Sequence, residues 1–71
     1  MQEFHLREGE DFIKLGQVLK AVGLVGNGAE AKENIQAGFV LVNDTPEYQR
    51  GKKLHEGDTV TFQGETIKIL K

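Results

Sequence analysis

The chain contains no cysteine, no serine and no tryptophan, and it has a single proline and a single tyrosine. Without cysteine it can form neither a disulfide nor a thiolate metal site. His5 and His55 lie far apart in sequence, whereas a metal site needs three or four converging ligands. The sequence has no recognisable arrangement of a catalytic nucleophile with a general base. A chain of 71 residues also has little room for a deep substrate pocket. We therefore expect no enzyme, no metal and no cofactor.

Long hydrophobic runs are also missing. No apolar stretch approaches the length that crosses a membrane, and no secretory signal pattern is present. Apolar residues make up 38% of the chain and charged residues 28%, which is typical of a globular protein rather than a disordered one. We expect one domain over residues 1–71, monomeric and cytoplasmic, with no membrane partner.

Basic residues are fewer than acidic ones, 9 against 11, so the net charge is −2. This value argues against a generic polyanion binder. The distribution is uneven, however, and residues 14–53 carry a net charge of +2. The cations of that segment are Lys14, Lys20, Lys32, Arg50, Lys52 and Lys53.

Hydrophobic periodicity predicts one strand and two helices in the first half of the chain. Residues 3–6 alternate between polar and apolar, as in a half-buried strand. Helical spacing follows and predicts a first helix that ends at Gly23. Asn27 is a suitable N-cap for a second helix over residues 29–37, which Gly38 ends. The apolar stripe of the first helix consists of Phe12, Leu15, Val18, Leu19 and Val22.

The second half of the chain is typical of strands. Residues 39–42 form a short apolar run, and residues 59–62 and 65–70 alternate on either side of Gln63 and Gly64, which indicates a hairpin. The order of these elements predicts an α+β fold with two short N-terminal helices packed on a small twisted antiparallel sheet.

The spacing of several residues resembles the S-four domain, a small RNA-binding module, and especially the stand-alone bacterial proteins of that type. The resemblance is strongest over residues 13–62. It rests on Lys14-Leu15 and Leu19, on Glu30-Ala31-Lys32 and Ile35, on Gly38, Val40, Val42 and Asn43, and on Gly57-Asp58 followed by Val60. It implies an αL RNA-binding motif, in which the second helix and the loop after the first long strand grip structured RNA. The chain departs from the family at Gly16 and Gly28, where many members have Asp and Arg.

The resemblance implies RNA contacts at Lys14, Lys32, Arg50, Lys52 and Lys53. Arg50-Gly51-Lys52-Lys53 can hold phosphates by charge and by the backbone amides exposed at Gly51. The alternative is a solvated turn, and Lys14 and Lys20 could equally belong to a solvated helix face. Tyr48 could stack on an unpaired base, although packing that anchors its loop is the favoured interpretation.

These observations predict a non-enzymatic protein that binds ribosomal or transfer RNA through phosphate contacts and shape, with ribosomal proteins as further possible partners. The alternative is a protein-interaction or carrier-like module with a ubiquitin-like sheet and no RNA ligand. Such carriers end in Gly-Gly, whereas this chain ends in Leu70-Lys71. They also have one long helix after a hairpin rather than two short early helices, so element order discriminates the two folds.

Overall fold

Two helices and seven short strands follow one another in the structure, a computed structural model that describes residues 2–71. The strands precede, separate and follow the helices, so the predicted α+β class is confirmed. The elements are β1 (Gln2–His5), β2 (Ile13–Lys14), α1 (Leu15–Ala21), α2 (Gly28–Gln36), β3 (Val40–Val42), β4 (Thr45–Pro46), β5 (Lys53–Leu54), β6 (Thr59–Phe62) and β7 (Glu65–Leu70).

Five of the strands form one sheet, in the order β1-β7-β6-β3-β4, while β2 and β5 form a separate two-stranded ladder. Within the five-stranded sheet, β1 and β7 run parallel, with Gln2 opposite Ile67 and His5 opposite Leu70. The other pairs are antiparallel. The prediction of a wholly antiparallel sheet is therefore wrong at this edge. Side-chain alternation reveals a strand but not its direction, and β1 pairs with a strand from the opposite end of the chain.

The helices cover one face of the five-stranded sheet. Leu15, Val18 and Leu19 of α1 and the predicted inward residues of α2, Ala31 and Ile35, are buried in one core. The strands complete this core with Val40, Val42, Val60, Phe62, Ile67 and Ile69. Because successive strand residues point to opposite faces, the other side of the sheet carries Leu41, Thr61 and Thr66 and has no helix over it.

Helix α1 begins three residues later than the apolar stripe predicted. Ile13 and Lys14 are extended and pair with Leu54 and Lys53, so Phe12 lies outside the helix. The amide of Leu15 donates to the carbonyl of Lys52 at 2.9 Å, and the chain enters the helix only there. The expectation that Phe12 belongs to the helical stripe is wrong, because a two-residue ladder leaves no periodic signal in the sequence.

The predicted helix ends and hairpin are confirmed. Gly23 and Gly38 have φ values of 80° and 84°, and the side chain of Asn27 accepts a hydrogen bond from the amide of Glu30 at 2.9 Å. Gln63 and Gly64 connect β6 to β7, with φ values of 52° and 77°, the left-handed pair that a tight hairpin turn requires.

Two short helices precede β3, and no long helix follows a hairpin in the described part of the chain, so the ubiquitin-like sheet is wrong. Over residues 2–71, no helix is both long and apolar enough to span a membrane.

Candidate functional site

A groove of about 380 Å³ lies where the N-terminal ends of α1 and α2 meet the loop before β5. Four of the residues that line it are glycine or alanine, so backbone is close to the surface along much of its length. The polar side chains that line it are Lys14, Gln17, Lys20 and Arg50, and the small residues are Gly16, Gly28, Ala31 and Gly51. The groove thus combines three cations with little side-chain bulk.

No carboxylate lines this groove, although acidic residues outnumber basic ones in the chain. Across residues 2–71 one ion pair forms, between Lys71 Nζ and Asp11 Oδ1 at 3.7 Å. Lys14, Lys20 and Arg50 are all exposed and none takes part in it. Their positive charge is therefore available to an external anion. Over the same residues, no cluster of three or more histidine or acidic side chains could hold a metal ion.

The loop that carries Arg50 is fixed to the start of α1 by its backbone. The carbonyl of Arg50 accepts from the amide of Gly16 at 3.0 Å, one residue after the bond from Leu15 to Lys52. The side chain of Arg50 then crosses Gly16 so closely that a Cβ at position 16 would lie 2.8 Å from Arg50 Cγ. Glycine at position 16 lets Arg50 lie against the helix, and this contact holds the guanidinium stem at the wall of the groove.

Two lysines face each other at the edge of the groove. Lys14 in β2 lies directly opposite Lys53 in β5. Like charges directly opposite each other in a ladder are destabilising. The ammonium of Lys53 lies 4.9 Å from the centroid of the Phe12 ring, which is a cation–π contact. Two positive charges therefore lie side by side in this short ladder.

Comparison with known proteins assigns the family. The profile of the S4 domain matches residues 4–70. This is the S-four domain that the spacing of residues 13–62 resembles. The chain belongs to the S4 domain family. A relative from Bacillus subtilis (strain 168), named a probable ribosome maturation protein RlbA, is 43% identical over 54 residues, which are 76% of each chain. The solution structure of YbcJ from E. coli, which reveals an ALFAL motif involved in RNA-binding, matches with a TM-score of 0.73 and 31% identity. That match covers all of this chain and 89% of YbcJ.

Within this S4 domain, the predicted site residues divide into two groups. Lys14, Arg50 and Gly51 line the groove together. Lys32 does not, but it lies one helical turn after Gly28 and so extends the same side of α2. The side chains of Lys52 and Lys53 are exposed outside the groove.

The structure adds Lys20, which the sequence predicts on a solvated helix face. Lys20 lies six residues after Lys14, in α1, and both line the groove. A spacing of six residues does not place two side chains on one helix face, so the sequence alone does not join Lys20 to Lys14. They lie together because α2 and the Arg50 loop border the same groove.

Two residues of the S4 pattern, Asn43 and Asp58, connect the β3–β4 turn to the turn before β6. Asn43 Nδ2 donates to Asp58 Oδ1 at 3.1 Å, and Asn43 Oδ1 accepts from the amide of Thr59 at 2.9 Å. Asp58 Oδ2 accepts from the amide of His55 at 2.7 Å. Partial burial alone would raise the pKa of Asp58, but the hydrogen bonds from His55 and Asn43 outweigh it and lower that pKa. These residues therefore hold the β3–β4 turn against the turn before β6, outside the groove.

Proposed function

We propose that this protein binds structured RNA, ribosomal or transfer RNA, by placing phosphates in the groove between α1, α2 and the Arg50 loop. One observation carries the proposal: the lining cations Lys14, Lys20 and Arg50 converge without a carboxylate among them. Cations that replace the counterions around a phosphate backbone supply affinity that depends strongly on salt. With three phosphate contacts, the log–log salt slope is roughly −2 to −3.

The small residues of the groove favour recognition by shape. Gly28, Ala31 and Gly51 bring the protein backbone close to a ligand, and a Cβ at either glycine would meet no atom within 4 Å. Gly28 is also the first residue of α2, so the positive end of that helix dipole faces the groove. Lys32 lies one turn after Gly28 and adds a positive charge on the same side of α2.

The name of one relative favours ribosomal RNA as the target. The relative from Bacillus subtilis is named for ribosome maturation, and YbcJ is described as having a motif involved in RNA-binding. If this protein acts as these relatives are described, it binds ribosomal RNA in the vicinity of ribosomal proteins. In this proposal the protein acts as a cytoplasmic monomer that binds without catalysis.

An NMR titration tests the location of the site. A structured ribosomal RNA hairpin, added at low salt, should shift the amides of Gly16, Gly28 and Gly51 while leaving β1 unchanged. Arg50→Gln should weaken the titration, and Lys68→Gln, an exposed charge on β7, should not. Amide shifts centred on β1 and β7, or no shifts at all, would contradict RNA binding in the groove.

Crosslinking in cells tests the target. Ultraviolet crosslinking followed by sequencing should recover ribosomal or transfer RNA with the natural protein, and much less of it with Arg50→Gln. Recovery of messenger RNA in proportion to its abundance would contradict the proposed target while leaving RNA binding itself intact.

A further inference from the structure

Two aromatic side chains remain largely in solvent near the segment that leads into the Arg50 loop. Phe39 is 64% exposed and Tyr48 is 58% exposed, and they are the large hydrophobic residues left exposed within residues 2–71. Phe39 immediately follows Gly38, and the Tyr48 ring lies over Gly38, where a Cβ would be 3.2 Å from Tyr48 Cε1. The two aromatic residues, Phe39 and Tyr48, therefore flank one glycine and form a small apolar surface, called the aromatic pair below.

The β3–β4 hairpin keeps this pair together. Leu41 pairs with Pro46, and the amide of Glu47 donates to the carbonyl of Val40 at 3.0 Å. One further step in that register brings Tyr48 opposite Phe39. Residues that are opposite in an antiparallel pair point to the same face of the sheet, so Phe39 and Tyr48 leave the backbone on the same side.

The backbone at Tyr48 is held in place. The carboxylate of Glu47 accepts from the amides of Tyr48 and Gln49, each at 3.2 Å. This arrangement engages the one acidic side chain next to Tyr48. A ring on a backbone fixed in this way loses little freedom when a ligand stacks on it.

The position of Tyr48 close to Arg50 in the chain favours RNA as the ligand of the aromatic pair. Tyr48 precedes Arg50 by two residues, so their Cα atoms are at most about 7 Å apart. An RNA strand with a phosphate at Arg50 therefore has its neighbouring nucleotides within reach of Tyr48. A stable protein interface needs about 800 Å² from each partner, with a packed apolar centre, and two rings beside Arg50 and Gln49 do not provide one.

We propose that Phe39 and Tyr48 form a stacking site for one unpaired base of the RNA whose phosphates occupy the groove. The proposal rests on the proposed function. It extends that function from phosphate contact to the selection of a bulge or junction, because only an unpaired base can leave its stack to reach a protein ring. Every base has a π-face, so the site recognises an unpaired base and not its identity.

Two RNA hairpins that differ by one bulged adenine test the proposal, with the bulge replaced by a fluorescent adenine analogue for the optical measurement. The natural protein should bind the bulged hairpin at least about fivefold more tightly, which corresponds to about 1 kcal/mol. Tyr48→Leu and Phe39→Leu should lose this preference and keep the affinity for the unbulged hairpin. Tyr48→Phe, which preserves the ring, should keep the preference, and thermal melting should show all three variants folded.

Tyrosine emission supplies a second readout, because Tyr48 is the only tyrosine and the chain has no tryptophan. The bulged hairpin should quench this emission, and the analogue in the bulge should be quenched by the natural protein but not by Tyr48→Leu. Equal affinity for both hairpins, or a preference that survives Tyr48→Leu, would overturn the stacking site and point the aromatic pair towards a protein partner. Failure to bind either hairpin would overturn the proposed function as well, so the two failures are distinguishable.

Discussion

Replacing Lys14 with Gln is expected to stabilise the fold while it weakens RNA binding. Lys14 lies directly opposite Lys53, and relief of a like-charge pair in a ladder is worth about 0.2–0.5 kcal/mol at an exposed, partly screened position. For a domain of this size, that gain raises the melting temperature by about 1–4 °C. The same change removes one phosphate contact and should reduce the salt slope of RNA binding by about 0.9.

Thermal melting at low and high salt, combined with RNA titrations over a salt series, measures both effects. The gain in melting temperature should shrink at high salt, because screening weakens the repulsion in the natural protein. Lys68→Gln is the matched control, since Lys68 is also an exposed strand lysine but lies opposite Glu3. It should give no gain in melting temperature and leave the salt slope unchanged. A lower melting temperature for Lys14→Gln would contradict the repulsion between Lys14 and Lys53, and an unchanged salt slope would contradict a phosphate contact at Lys14.

Three further predictions concern a turn, a hydrogen-bond network and the open wall of the groove. Gly38→Val should lower the free energy of unfolding by about 1–2 kcal/mol in chemical denaturation, because φ is 84° and the new side chain meets Tyr48; an unchanged midpoint would contradict this. Asp58→Asn should destabilise the protein at neutral pH. Since the folded pKa of Asp58 is lowered, its contribution holds above its ordinary value of 3.8 and disappears as the pH falls through the folded value, so melting curves of variant and parent should converge in acid. Gly28→Arg should tighten RNA binding and steepen its salt slope by about 0.9, whereas Gly28→Ala should change neither, because position 28 opens into the groove; equal behaviour of both would contradict a phosphate contact there.

Local signals in the sequence predicted much of the fold. Glycines at positions 23 and 38 end helices because their left-handed backbone conformation is one that L side chains resist, and this preference is readable residue by residue. The same holds for the Gln63-Gly64 turn. The parallel pairing of β1 with β7 and the β2–β5 ladder were not predictable in this way. Both depend on segments far apart in sequence, and two-residue strands have no periodicity to detect.

The candidate site shows the same division. Lys14, Arg50 and Gly51 were predicted and lie together, but the packing of Arg50 across Gly16 became evident only in three dimensions. Lys20 was missed because a lysine opposite an apolar stripe is usual on any exposed helix. Composition also hid the site, since the overall charge of −2 conceals a groove whose lining has no acidic side chain.

The most direct test of RNA binding in the groove compares two triple variants in RNA titrations over a salt series. One replaces Lys14, Lys20 and Arg50 with Gln, and the other replaces Arg7, Lys68 and Lys71, which lie outside the groove. Removing three positive charges takes the net charge from −2 to −5 in both variants. The groove variant should lose most of its RNA affinity and about 2.7 units of salt slope, while the other should keep nearly all of both. Equal losses in the two variants would contradict a localised RNA-binding groove and leave only the overall charge of the protein as the cause.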